Sequence, residues 1–429
     1  MFSIEATLWS GIAMNLLERF ESVAQKYVRT APVAFDRARG SELFDENGNR
    51  YIDFHSGGGT LSHGHNDIKV CTALIDYLCN DRIIQTRAQT SVAKRDFVEA
   101  LVTQILQPRN LDYKILFTDP ASGIAAEVAM RLARRHKKRA GIVSFTNCCH
   151  GLTEGSLSVT SKQPTRYESL DLRSNVVFMP FCGYFGEAQD TIAYLRPYLQ
   201  DQSSGLELPA AIIVETLQVE GGVQVASVAW LQGLERLCRE FGILLIVDES
   251  QTGCGRVGPY FSFERAGLTP DMVVMSSATA GGFPISVLLM RPELDQWRPG
   301  EEVGIFQGDS LAFVAGRELV AQWASGAIPR SIEANGKILS HGLGKIPQAF
   351  PDRNVRVRGA GMVWGIDFGR PASAAVVSAW ALERGLVIEP AWIKDDVLLV
   401  LPPLTIEESI LREGLDCLAQ VVSSFLSHG

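Results

Sequence analysis

The sequence predicts an α/β protein with a mainly parallel central sheet flanked by helices, followed by a smaller α+β domain. Three observations carry that prediction. Short apolar runs alternate with helical stretches between about residues 60 and 300. The runs are apolar on both faces, as strands buried between two helix layers must be. After about residue 325 the pattern changes to helical stretches around one strand pair.

The elements follow in order. Residues 10–28 carry apolar side chains at helical spacing and predict an amphipathic N-terminal helix. Two short strands flank the Glu46-Asn47-Gly48-Asn49 turn, a hairpin signal. A glycine-rich bend follows at residues 56–59. Seven apolar runs begin at Ile115, Gly141, Val176, Ala211, Ile243, Met272 and Ile285 and predict the strands of the central sheet. Their βαβ alternation implies right-handed crossovers. The C-terminal strand pair falls near 356–368 and 396–403. These patterns divide the chain into an N-terminal segment (1–60), a large domain (61–325) and a C-terminal α+β domain (326–429).

Composition narrows the function. Apolar residues make up 46% and charged residues 21%, which suits a packed core and not a disordered chain. The formal charge is -8, with 40 basic against 48 acidic residues, so nucleic acid is not the expected partner. The eight cysteines fit neither a metal framework nor a small disulfide scaffold and read as reduced thiols. No basic leader and no long uncharged apolar run stand out, so no membrane partner and a cytoplasmic location are expected.

Candidate chemistry lies at the C-terminal ends of the predicted strands, where such sheets bind ligands. Ser122 and Gly123 open a helix over 124–135 and could hold a phosphate through backbone N–H groups; an ordinary serine N-cap reads the same way. Cys149 and His150 follow the run at 141–145 and suggest a thiol–imidazole pair, although buried cysteines are common. Asp248 and Glu249 close the run at 243–248, with Gln251 just beyond; an acid at a buried strand end must be paired or functional. Residues 253–258 match G-x-G-x-x-G literally but open no helix, so the dinucleotide reading is rejected. His63 and His65 lack further ligands for a metal, and no metal site is expected.

These elements in this order resemble class III aminotransferases, fold type I enzymes that use pyridoxal phosphate, and in particular their diaminobutyrate–2-oxoglutarate branch. The likeness runs nearly end to end, through Phe35-Asp-Arg-Ala, Tyr51-Ile-Asp-Phe, Pro108-Arg-Asn-Leu-Asp-Tyr, Val214-Glu-Thr-Leu-Gln, Ile246-Val-Asp, Gln251-Thr-Gly-Cys-Gly-Arg and Leu401-Pro-Pro-Leu-Thr. The resemblance implies a seven-stranded central sheet and a small domain drawn from both termini. It also implies a homodimer with shared active sites, the segment Gly304–Ser310 reaching across. Asp248 matches the acid facing the pyridinium nitrogen, Gln251 the residue near the ring hydroxyl, and Glu215 and His150 retained site residues.

The family's covalent anchor is a lysine after the strand that here reads Met272–Met275. Its place falls at Ser277 in one alignment and Ser276 in another, and no lysine occurs between Lys162 and Lys337. The stacking aromatic falls at Cys149, a substrate-side tyrosine at His63, and a phosphate-binding threonine at Ile305. Serine cannot form an imine, and loss of a positioned general base typically costs about 10²–10⁴-fold. Three readings follow. In the first, a degenerate site unfit for ordinary transamination binds pyridoxal or pyridoxamine phosphate non-covalently beside an amino-acid-type substrate, Ser122, Gly123, Asp248, Gln251 and Ser277 contacting the cofactor. In the second, a cofactor-independent enzyme uses Cys149, His63 and Ser277 for acyl transfer or condensation. In the third, the chain is a non-catalytic paralogue.

Overall fold

The computed structural model describes residues 19–22, 24, 33–85, 89–121, 123–161, 175–186, 188–302 and 304–428. The helix expected over 10–28 lies almost entirely outside them, as does Ser122. Strands β1 (Phe35–Arg39), β2 (Glu42–Asp45) and β3 (Arg50–Asp53) form an antiparallel meander. The predicted turn joins β2 to β3. Asp45 Oδ1 accepts the N–H groups of Asn47 at 2.9 Å and Asn49 at 2.8 Å, and Gly48 supplies the positive φ of 83° between them.

The central sheet contains β4 (Lys114–Thr118), β5 (Ile142–Phe145), β6 (Val176–Met179), β7 (Ala211–Val214), then, past the small hairpin β8 (Leu217–Gln218)–β9 (Gln224–Val225), β10 (Leu244–Asp248), β11 (Met272–Met275) and β12 (Ser286–Met290). Its order is β4-β12-β11-β10-β7-β5-β6, so all seven apolar runs became its strands. One feature departs from a simple βαβ series: β12 runs antiparallel to both neighbours. The chain returns from β11 through the short turn Ser277–Ala280 with no crossover helix, and a direct return can only be antiparallel.

Side chains alternate across this sheet, and both faces are buried. Leu244 and Ile246 join one core cluster with Met272 and Val274, whereas Leu245 and Val247 join the other with Val273 and Met275. Helix Ile124–Lys137 buries Ala125, Ala126, Val128, Ala129, Leu132 and Ala133, a small-residue face that lets it lie close to the strands. Helix Val228–Phe241 is capped by Ser227 Oγ, which accepts the Trp230 N–H, and ends at Gly242 with φ 61°. It buries Trp230, Leu231, Leu234, Leu237 and Cys238 at helical spacing.

The C-terminal part holds β13 (Arg356–Ala360), β14 (Val363–Asp367), β15 (Leu386–Val387), β16 (Glu389–Pro390) and β17 (Val397–Val400). Four of these form a sheet of order β13-β14-β17-β16, larger than the strand pair the sequence suggested. The run at 356–368 supplies two strands, β13 and β14, turned back on each other, and the further strand β16 is only two residues long, too short for a periodicity signal. β15 pairs in parallel with β3, joining the N-terminal meander to this part. Helices Ala327–Ala349 and Glu408–His428 pack over a second core containing Phe54, Leu339, Leu343, Ile366, Leu398, Leu411 and Leu418.

Arg256, only 2% exposed, ties the parts together. Its guanidinium donates to Gly59 O at 3.2 Å, Met362 O at 3.3 Å and Pro402 O at 2.5 Å. Among the described residues no helix is long and apolar enough to cross a membrane.

Candidate active site

Parallel strands align their C-terminal ends, and three of those ends converge here. β10 ends in Asp248, β7 runs directly into Glu215, and the loop after β5 carries Cys149 and His150. β10 pairs with β7, and β7 with β5, so the three segments are neighbours.

His150 Nδ1 lies 2.8 Å from Asp248 Oδ2, and both side chains are buried. Burial alone would depress the imidazole. The hydrogen bond to Asp248, with smaller help from Cys148, instead holds it well above its ordinary value. Asp248 Oδ1 accepts the Ser250 N–H at 3.0 Å. The buried His150 Nε2 has no hydrogen-bond partner among the described residues, a cost that a polar ligand atom would relieve.

Glu215 Oε2 accepts the Cys149 N–H at 3.0 Å. Burial pushes the Glu215 carboxyl up to about 8; His150 opposes the shift and Asp248 adds to it. Burial also pushes the Cys149 thiol well up, and the charges of Glu215 and Glu220 push it further. Such a group rests as a thiol, not as the thiolate that nucleophilic attack requires.

Gly123 sits against this cluster at the start of helix Ile124–Lys137, with φ 96°. A Cβ there would lie 2.2 Å from Ser156 Oγ and 3.0 Å from His150 O, so the backbone approach requires glycine. Glu127 explains how the approach is held: its Oε1 accepts from Gly155 N at 2.7 Å and Ser156 N at 3.1 Å, and also from the Thr153 hydroxyl. This carboxylate caps the short helix Glu154–Ser158 from another element.

The serines follow β11. Ser276 Oγ donates to Ser250 O at 2.7 Å, beside the Asp248 turn, and Ser277 opens the turn Ser277–Ala280. His63 flanks that turn: Ser62 Oγ lies 3.1 Å from both His63 Nδ1 and Ala278 O. Burial drives the His63 imidazole down to about 4, so it is neutral at pH 7. His65 instead contacts Asp53 Oδ2 at 3.1 Å, so the two histidines serve different partners. Gln251 Nε2 donates to Glu220 Oε1 at 3.0 Å, a pairing that sequence did not suggest. Glu249, pushed up to about 7 by burial, binds Ser262, Phe263 and Thr252, a structural cap beneath the site. Residues 253–258 form turns and open no helix.

A twisted, mostly parallel sheet with a buried acid, imidazole and glycine-opened helix at its strand ends defines a fold type I aminotransferase architecture. Solved structures carry the same fold: an ornithine aminotransferase from Toxoplasma gondii (TM-score 0.84, 22% identity, 98% of this chain and 96% of that one) and a Bacillus anthracis aminotransferase (TM-score 0.85, 19%, 97% and 99%). The Aminotransferase class-III family model matches residues 23–422, and the chain belongs to that family. A diaminobutyrate–2-oxoglutarate transaminase of Wolinella succinogenes is 47% identical over 413 residues, covering 96% of this chain and 97% of the relative. One from Bordetella parapertussis is 43% identical over 417 residues, 96% of each chain.

Class III aminotransferases use pyridoxal phosphate, and the residues fit that group in part. The His150–Asp248 pair with its unpartnered Nε2 suits a ring, and Gly123 at the helix start suits a phosphate. The β11 strand end carries Ser276 and Ser277, and no lysine occurs between Lys162 and Lys337. Of the lysines bounding the long lysine-free stretch, Lys337 pairs with Glu333 at 2.7 Å on the surface, and Lys162 lies outside the described residues.

Proposed function

We propose that this chain keeps the cofactor pocket of its family without the covalent anchor, holding pyridoxal or pyridoxamine phosphate reversibly beside an amino-acid-type ligand. The observation that carries this is the buried His150–Asp248 pair beside a β11 strand end bearing two serines and no amine. Asp248, hydrogen-bonded to His150, would face the ring nitrogen, and Gln251 would meet the ring edge. The helix opened by Gly123 would receive the phosphate. When bound, such a cofactor supplies an electron sink for carbon acids. The chain offers no lysine at the β11 strand end to relay the proton, so ordinary transamination is not expected of it. The names of the relatives support an amino-acid-type substrate and stand against the loss of amino transfer.

A cytoplasmic homodimer is part of the proposal. Ile83, Ile84, Ile305 and Phe306 leave apolar side chains exposed, Ile305 by 56% and Phe306 by 55%. Gln85 Nε2 donates to Ile305 O at 2.8 Å, so the two segments share one surface that a second copy would cover.

The test is uptake of pyridoxal phosphate by the full chain, followed by gel filtration and borohydride reduction. Reversible near-ultraviolet or visible absorbance without reduced, lysine-linked cofactor is expected. Colour fixed to a lysine by borohydride would overturn the proposal, as would failure to take up either cofactor form.

A further inference from the structure

One acidic side chain outside the His150–Asp248 pair joins the site to the C-terminal domain. Glu220 lies in the turn between β8 and β9. Its Oε1 accepts from Gln251 Nε2 at 3.0 Å, and its Oε2 accepts the Trp392 N–H at 2.7 Å. Its main-chain oxygen accepts two more N–H groups, those of Ile393 at 3.1 Å and Lys394 at 3.3 Å. Three successive amides of the segment between β16 and β17 therefore converge on one residue. Among the described residues no cation pairs with the Glu220 carboxylate.

From this we infer that Glu220 is a positioning residue, a latch that fixes the Gln251 amide and seats the Trp392–Lys394 segment against the site. A carboxylate is required because two donors arrive from different directions, one on each oxygen. It also settles the Gln251 amide: an acceptor-only partner can be met only by the amide NH₂. Gly222 shows how tightly the turn is seated. At φ 90°, a Cβ there would lie 3.1 Å from Val397 Cγ2 and 3.2 Å from Lys394 Cβ. The inference rests on the proposed cofactor reading only for its effect on binding, not for the latch.

The experiment compares the full-length wild type with Glu220→Ala, Glu220→Gln and Gln251→Ala. Hydrogen exchange of the 392–394 amides is read in the cofactor-free protein, and affinity is read with pyridoxamine 5′-phosphate. Glu220→Ala should speed exchange at Trp392 by 10-fold or more and weaken pyridoxamine phosphate binding by a similar factor. Glu220→Gln, with one oxygen, should recover one of the two contacts and fall between wild type and alanine in one readout. Gln251→Ala should weaken binding while leaving the 392–394 amides protected. Unchanged exchange at Trp392 in a folded Glu220→Ala protein would overturn the latch. Identical behaviour of the Ala and Gln variants in both readouts would overturn the two-oxygen requirement. If the wild type binds no pyridoxamine phosphate, the cofactor reading fails, and the exchange result still decides the latch.

Discussion

His150 and Asp248 form a buried hydrogen-bonded pair at 2.8 Å, contributed by the loop after β5 and the end of β10, 98 residues apart in sequence. Each partner offsets the cost of burying the other, for both side chains are almost fully enclosed. His150→Ala would leave the carboxylate buried with only the Ser250 N–H. Breaking a buried pair from one side costs about 3–5 kcal/mol. Urea unfolding should show a loss of that size, and Asp248→Asn a loss of similar direction.

Glu215 sets a pH dependence whose sign can be worked out. Its folded-state pKa of about 8 lies above the ordinary carboxyl value of 4.5. Between those values the folded chain keeps a proton that the unfolded chain has released. Stability therefore falls as pH rises across this window, with a limiting slope of about 1.4 kcal/mol per pH unit, and levels off above it. Glu215→Gln, which mimics the protonated carboxyl, should flatten the fall in unfolding free energy measured from pH 5 to 8.

Cys149 should be chemically quiet. Its side chain is half-buried, and burial beside Glu215 and Glu220 holds the thiol well above its ordinary value, whereas Cys79 is exposed on a helix end. Iodoacetamide at pH 7 followed by peptide mass spectrometry should label Cys79 well before Cys149. Fast labelling of Cys149 would revive the reading of it as a nucleophile.

Gly123→Ala places a methyl group 2.2 Å from Ser156 Oγ at a φ of 96°. Overpacking and backbone strain together should cost about 1–3 kcal/mol in thermal or urea unfolding. Ser156→Gly in the same chain should recover the steric part and leave the backbone part.

Restoring an amine is the sharpest gain-of-function test. Of Ser276→Lys and Ser277→Lys, one should retain pyridoxal phosphate through borohydride reduction and denaturation. Ser276 Oγ already contacts the Asp248 turn through Ser250 O, which favours Ser276 as the position facing the ring. Retention by neither variant would count against a pyridoxal phosphate pocket at this strand end.

Much of this fold was legible in the sequence, and the reasons are specific. All seven central strands were found because burial on both faces writes a continuous apolar run. The direction of β12 was not legible, because hydrophobicity encodes burial and not polarity of the strand. Asp248, His150 and Gly123 came together as their strand-end positions suggested. The reach of Glu127 to the 153–156 segment and of Glu220 to Trp392 was not legible, since a carboxylate that caps a distant backbone leaves no local pattern. His63 falls beside the 277–280 turn through Ser62, a contact made by folding alone.

Arg256 has a consequence for how the molecule comes apart. One guanidinium holds carbonyls from three stretches of chain, Gly59, Met362 and Pro402, near the boundary between the two large cores, which also share Trp323. Loosening either core strands charged donors away from water, so neither half gains by melting first. The two halves should denature in a single cooperative transition, and Arg256→Met should split it into two.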